Sequence, residues 1–240
     1  MFRKEIRDNL NLFIIPEKIF HPSVFSFMTN KIFDQNLTFK HTSTSNKLVI
    51  PALEDLIAVP IICMNQIHGN EALEVSRSDL NKFLNADAIY TQSKKLALAV
   101  SSADCLPIIL ASNDASEIAA IHVGWRGLAN GVIDSTLKLF KNKHSELSAW
   151  FAPCISIENF EVSKDVLEQF NNKNLDKFFF PLKAKDKWKF DLRNAALKVM
   201  QRKGVKVNQS NLCTYTEDNL FYSYRRDKTS KRMQTIVWIN

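Results

Sequence analysis

The sequence predicts an α/β or α+β sandwich in which helices cover mixed β-sheets, and three observations carry that expectation. Apolar runs rich in Val, Ile and Ala, such as LALAV at 96–100 and IAAIHV at 118–123, have the unbroken character of strands buried on both faces. They are interleaved with segments whose apolar residues recur at helical spacing. No internal repeat, low-complexity tract or Pro/Gly-rich linker divides the 240 residues, so a single domain over 1–240 is expected, with 1–45 its least regular part.

In chain order, the first 45 residues are rich in Phe, Asn and Thr and read as an edge hairpin or a loose arm. KLVIPALEDLIAVPIICMN, from Lys47, holds two short apolar runs separated by acidic residues. KLALAVSSADCLPIILAS reads as strand, sharp turn, strand, with Cys105 at the turn. EIAAIHVGW is another strand, running into a helix expected from Leu128 to Phe140, with Ala129, Ile133, Thr136, Leu137 and Phe140 on one face. SKDVLEQFNNK reads as a short helix opened by Ser163. Asp191 is the expected N-cap of LRNAALKVMQRK, where Leu192, Ala195, Ala196, Val199 and Met200 share a face and Gly204 ends the helix. The closing LFYSYRRDKTSKRMQTIVWIN has hairpin-like character.

Composition narrows the class. An apolar fraction of 45% with 24% charged residues is that of a soluble globular protein. The net charge of +7 raises the question of an anionic partner, but the lysines are scattered. Their local runs, Lys94-Lys95 and Lys183, Lys185, Lys187 and Lys189, sit among aromatic and acidic residues as a solvated face does. No nucleic-acid-binding signature is present, and no nucleic-acid partner is expected. Cys63, Cys105, Cys154 and Cys213 are widely spaced without a CxxC pair and are expected to be thiols. With no secretory cleavage site and no apolar run near the roughly 20 residues of a membrane span, the expectation is a cytoplasmic protein without a membrane partner.

Chemistry concentrates in three fragments: NQIHGN at 65–70, SSADCLPII at 101–109 and AAIHVGWRGL at 119–128. A catalytic zinc site uses three ligands drawn from imidazole, thiolate and carboxylate and leaves a position open. His68, Cys105 and His122 offer such a set, and Gly69 and Gly124 would allow close approach and unusual dihedrals at the ligand turns. Each residue alone is read more readily as a hydrogen-bonded surface or core histidine or an inert buried thiol. The polar neighbours Gln66, Asp104 and Arg126 favour a site, because a packed interior does not choose such groups without partners. These three are the catalytic candidates, Asp104 being the best-placed carboxylate for orienting a ligand or moving a proton. Arg126, Arg225, Arg226 and Arg232 could supply guanidinium forks for phosphate or carboxylate, with surface solvation an equal reading for Arg232. Among Trp125, Phe221, Tyr222 and Tyr224, aromatics able to stack on a planar base or to fill a core, Trp125 and Tyr224 join Arg225 and Arg226 as substrate-binding candidates. Asp87, in NADAIYT, reads as a turn residue bonding backbone.

NQIHG, NADAIYT, SADCLPIIL, AAIHVGWRGL with Gly131-Val132, PCIS…FEVS and FYSYRRD…KRM…IVWI, in that order, resemble the YfiH/laccase-domain family. Its members are also described as multicopper polyphenol oxidases, purine nucleoside phosphorylases and peptidoglycan editing factors. The resemblance runs from about residue 60 to the C-terminus. It implies a layered sandwich shared with a group of proteins described as cysteine hydrolases, and one zinc ion on His68, Cys105 and His122. It also implies phosphorolysis of adenosine, inosine and S-methyl-5′-thioadenosine and deamination of adenosine, with purine nucleoside and phosphate as partners. Three alternatives stand beside it: a copper-dependent phenol oxidase, a metal-free hydrolase with Cys105 as nucleophile and His122 as base, and a protein that binds cell-wall precursors. Copper is disfavoured because a multicopper oxidase needs many more ligands and the chain has five histidines. The chain departs from the family at FSFMTNKIFDQNLTFK, which lacks the family's Arg-x-Gly-Gly-Val-Ser, and at Thr229-Ser230-Lys231-Arg232, which replaces a Thr-Gly-Arg.

Overall fold

A computed structural model describes residues 10–40, 49–171 and 173–240. Two mixed sheets lie face to face. The first has the order β1 (Phe13–Ile14), β2 (Val24–Thr29), β14 (Met233–Ile239), β6 (Ala97–Ser102), β3 (Ile61–Ile62), antiparallel except where β3 meets β6. The second has the order β13 (Lys206–Gln209), β9 (Leu147–Phe151), β7 (Leu106–Ser112), β8 (Ile118–Val123), β5 (Ala88–Thr91), β4 (Ala72–Glu74). Its four central strands are antiparallel and its two edge strands join in parallel. A small antiparallel sheet, β10 (Glu161–Ser163), β12 (Lys187–Phe190), β11 (Phe179–Pro181), stands apart from these two.

Alternation along each strand explains the layers. Leu98 and Val100 of β6, Met28 of β2 and Val237 of β14 meet Ile109 of β7, Ala120 of β8 and Trp150 of β9 between the sheets. The intervening Ala97, Ala99, Phe27 and Trp238 face outward, under Phe33 of α1 (Lys31–Lys40) and Leu53 and Ile57 of α2 (Val49–Ile57). On the far side, Leu106, Ile108 and Ile121 lie under α3 (Trp125–Asn130), α4 (Val132–Leu137) and α6 (Leu192–Arg202). Strands covered on both faces have no polar side to show, which is why their sequences read as unbroken apolar runs. Burying each such aliphatic or aromatic side chain contributes about 1.5–3 kcal/mol. The short helices α5 (Lys164–Glu168) and α7 (Tyr224–Asp227) complete the structure. Among the described residues no helix is long and apolar enough to cross a membrane.

Several local expectations hold. β6, a turn and β7 follow one another with Cys105 at the turn, although the two strands belong to different sheets. Asp191 caps α6 by accepting the Asn194 N–H. Ser163 occupies the N-cap position of α5, but its hydroxyl turns to the Asp165 carboxylate instead of the backbone. All four cysteines are free thiols. Of the first 45 residues, 1–9 and 41–45 lie outside the described part. The remainder pairs β1 with β2 at a sheet edge, and the stretch without the family's Arg and glycines forms β2 and α1. There the buried Asn30 accepts the N–H groups of Ile32 and Phe33 and so caps the helix.

Two expectations are corrected. The C-terminal segment is no hairpin: α7 is followed by a single long strand, β14, inserted between β2 and β6 with all of its residues buried. Its partners are distant in sequence, and local pattern cannot reveal them. The helix expected over 128–140 starts earlier, at Trp125, and breaks at Gly131, whose φ of 85° lies in the left-handed region. The Gly131 N–H bonds back to the carbonyls of Gly127 and Leu128, ending α3 as α4 begins, yet Ala129, Ile133, Thr136, Leu137 and Phe140 all remain buried. The space around an added Cβ at Gly131 is open, with the nearest atom 4.0 Å away. Gly131→Ala is therefore expected to cost about 1–2 kcal/mol through backbone strain alone, measured as a lower denaturation midpoint with unchanged m-value.

Candidate metal centre

Strand register assembles the centre at one end of the second sheet. Leu106 of β7 pairs with Val123 of β8, so Cys105, just before β7, falls beside Gly124. Ala88 of β5 pairs with Ile121, so Asp87 falls beside His122, and the His122 N–H donates to the Asp87 carbonyl at 2.7 Å. Inserted between them is the loop carrying His68, tied to the β5 approach by the Asn65–Asn85 bridge. Gln66 braces it to the first sheet, its amide taking the Ser101 N–H and giving to the Ser101 carbonyl, both at 2.8 Å.

The ligand atoms of His68, Cys105 and His122 lie within 4.8 Å of one another, the only such metal-capable group of His, Cys, Asp and Glu among the described residues. The imidazole rings are 4.8 Å apart and nearly perpendicular. His122 is buried, Cys105 half-buried and His68 exposed, so the group opens to solvent on one side. Gly124 floors it: an added Cβ would stand 3.3 Å from Cys105 Sγ, 3.4 Å from His68 Cδ2 and 3.9 Å from His122 Cε1. Two imidazoles and a thiolate around a cradle that a methyl group would crowd are a donor set suited to one zinc ion.

Asp87 organises two of the three donors. Its Oδ1 bonds His122 Nδ1 at 2.8 Å and accepts the His68 N–H at 3.0 Å, while Oδ2 accepts the Gly69 N–H at 2.6 Å. The backbone bonding expected of Asp87 is present, but the contact to His122 makes it the residue that orients a ligand and frees Nε2 for the centre. No local signal marks that role, because the partner lies 35 residues away and only the β5–β8 register joins them. The unusual dihedral also falls elsewhere than expected, on His68 itself with φ 59°, whereas Gly69 and Gly124 have ordinary φ.

Electrostatics follow the geometry. Burial works against the Asp87 carboxylate, but His122 and the N–H groups of Gly69 and His68 outweigh it and hold its pKa below the usual value. Burial likewise opposes the Cys105 thiolate, yet His122 and then His68 pull that thiol down, while Cys105 and Asp87 raise His122 against its own burial. Cys63 is the contrast: burial, then Glu54, pushes its thiol up to about 12.

The other candidates separate. Asp104, with φ 96°, spends its carboxylate on Thr214 Oγ1, Ser223 Oγ and the Arg225 N–H. The fork expected of Arg226 is consumed. Its five N–H donors go to the carbonyls of Thr214, Tyr215 and Phe221 and to both oxygens of Asp227, leaving none for a substrate. Arg225 gives one N–H to the Glu161 carbonyl and lies over Phe160. Arg232 bonds the carbonyls of Thr229 and Lys231. Arg126 is exposed, its guanidinium 4.2 Å from the centre of the half-buried Trp125 ring. Tyr224 is exposed, with Lys228 and Arg232 over its ring. Phe221 is core, and the buried Tyr222 bonds Asp34. Gln66 gives one N–H to Ser101 and accepts one from it, and so braces the His68 loop.

Asp87→Asn keeps the shape but cannot accept from both backbone N–H groups and the imidazole, so the affinity of the group for any metal it holds is expected to fall about 10–100-fold in a chelator competition titration. In metal-free protein near neutral pH, iodoacetamide followed by peptide mapping is expected to label Cys105 well ahead of Cys63, whose thiol remains protonated.

Residues 43–240 match the family model described as multi-copper polyphenol oxidoreductase laccase. The chain is 34% identical over 179 residues to the purine nucleoside phosphorylase YfiH of Shigella flexneri, covering 74% of this chain and 73% of that one. It is 32% identical over 203 residues to the purine nucleoside phosphorylase of Haemophilus influenzae, covering 83% and 82%. The crystal structure of Neisseria meningitidis protein NMB0706 superposes with a TM-score of 0.86 at 28% identity, over 95% of this chain and 99% of that one. That of Bacillus licheniformis YfiH gives 0.79 at 23% identity, over 90% and 93%, and so supports the fold alone. The layered sandwich, the ordered motifs and these matches together make the chain a member of the YfiH-like multi-copper polyphenol oxidoreductase laccase family.

Proposed function

We propose that this chain is a zinc-dependent purine nucleoside phosphorylase that also deaminates adenosine, acting on adenosine, inosine and S-methyl-5′-thioadenosine. The observation that carries the reading is the His68–Cys105–His122 group, closed by protein on one side and open at His68 on the other. Relatives named purine nucleoside phosphorylase support purine nucleoside and phosphate as its substrates. A single domain over 1–240 and a cytoplasmic location belong to the same reading.

A bound zinc ion with an open position would lower the pKa of water toward about 7, the chemistry that deamination at C6 of a purine requires. The chain's own residues would do the rest. Asp87 holds the His122 tautomer, and Arg126 is the arginine best able to meet phosphate, because Arg226 has no donor to spare and Arg225 is partly committed. Phosphorolysis forms a bond from a phosphate oxygen to C1′ as the C1′–N9 bond breaks, and an ordered anion stabilises the sugar cation between them. Exposed Tyr224 offers a stacking face for the base. Copper oxidation fits less well, since among the described residues one three-ligand group is present and a multicopper oxidase needs several.

One observation favours a second reading. Cys105, His122 and Asp87 follow one another as nucleophile, base and orienting carboxylate do, which suits a metal-free thiol hydrolase. His68 has no part in that triad, and so it separates the two. Elemental analysis followed by incubation with adenosine or inosine and phosphate should give about one zinc per chain and release of free base. His68→Ala, Cys105→Ala and His122→Ala should each abolish zinc binding and turnover. Full activity in His68→Ala would remove the metal reading and leave the triad.

A further inference from the structure

Asp104 stands next to a metal ligand, yet its carboxylate is committed to another part of the chain. Oδ1 accepts from Thr214 Oγ1 at 2.8 Å, and Oδ2 accepts from Ser223 Oγ at 3.0 Å and from the Arg225 N–H at 2.6 Å. Its carbonyl takes the Ile155 N–H at 2.9 Å, and its φ of 96° is one that Asp, Asn and Gly tolerate best. Ser223 in turn caps α7 by accepting the Arg226 N–H at 3.1 Å. The first turn of α7 is therefore held by one buried carboxylate and one hydroxyl. Arg226 closes the same segment on itself through the carbonyls of residues 214, 215 and 221. A four-residue helix has little stability of its own, so its position is set by these contacts.

We propose that Asp104 is a positioning residue that fixes Tyr224 and Arg225 relative to the metal ligand Cys105, so that nucleoside binding, and not metal binding, depends on its carboxylate. This rests on the nucleoside reading above and replaces the acid–base role expected from sequence. The carboxylate links two segments 119 residues apart, the turn that carries Cys105 and the first turn of α7, which carries Tyr224, the stacking residue of the nucleoside reading, and Arg225. A proton-transfer group would need a carboxylate oxygen free to face the substrate, and both oxygens of Asp104 already accept buried or half-buried donors.

The test compares Asp104→Gly, which keeps the φ but deletes the carboxylate, with Asp104→Asn, whose amide can retain the Ser223 and Arg225 bonds. Asp104→Gly should keep its zinc while KM for inosine rises about tenfold or more, the scale of lost hydrogen bonds to a charged group, with a smaller change in kcat. Asp104→Asn should recover most of that KM. Hydrogen exchange supplies a readout independent of turnover: amides 224–227 should exchange faster in Asp104→Gly and return toward wild type in Asp104→Asn. Ser223→Ala, which cuts the same link from the other side, should raise KM in the same direction and serves if Asp104→Gly does not fold. Unchanged exchange across α7, or zinc lost in proportion to activity, would overturn the positioning role. A wild-type protein that binds zinc but leaves inosine intact would sink the nucleoside reading, and the exchange data would still decide the role of Asp104.

Discussion

The centre depends on one buried carboxylate. Asp87 accepts two backbone N–H groups and one imidazole, and through them it fixes His68 in a left-handed conformation and His122 in one tautomer. A buried carboxylate without partners is costly, and a β-carbon-bearing residue at positive φ is strained. Each cost is offset by the same set of bonds. Cys105 and His122 chiefly shift each other, the imidazole pulling the thiol down and the thiol raising the imidazole, and Asp87 adds to the rise at His122.

The carboxylate is effective because the sheets are rigid around it. β7, β8 and β5 are central strands covered on both faces, by the first sheet on one side and by α3, α4 and α6 on the other. Their register delivers Cys105, His122 and Asp87 to one end of the second sheet, and Gly124 lets the ligand atoms close over the turn into α3. The His68 loop has no such support of its own. Gln66 and the Asn65–Asn85 bridge tie it to both sheets instead, which leaves His68 at the open side of the group.

Local pattern made the strand, glycine turn and helix around His122 legible, along with the Cys105 turn and the Asp191 cap, because each is written in a few adjacent residues. Relations between distant segments were not legible. Asp87 looked like a turn residue because its main partner comes from register, and Arg226 looked like a substrate fork because its carbonyl partners gather only when α7 forms. The C-terminal strand looked like part of a hairpin because its neighbours lie near the N-terminus and in the middle of the chain. The break at Gly131 was hidden because the buried positions on either side keep one helical face through it.

As proposed, His68, Cys105 and His122 bind one zinc ion and leave a position for chemistry. Zinc-edge X-ray absorption on the purified protein tests it directly. One sulfur ligand at about 2.3 Å, two imidazole nitrogens at about 2.0–2.1 Å and one further light-atom ligand are expected. A zinc shell without sulfur, or one closed by four protein ligands, would contradict it.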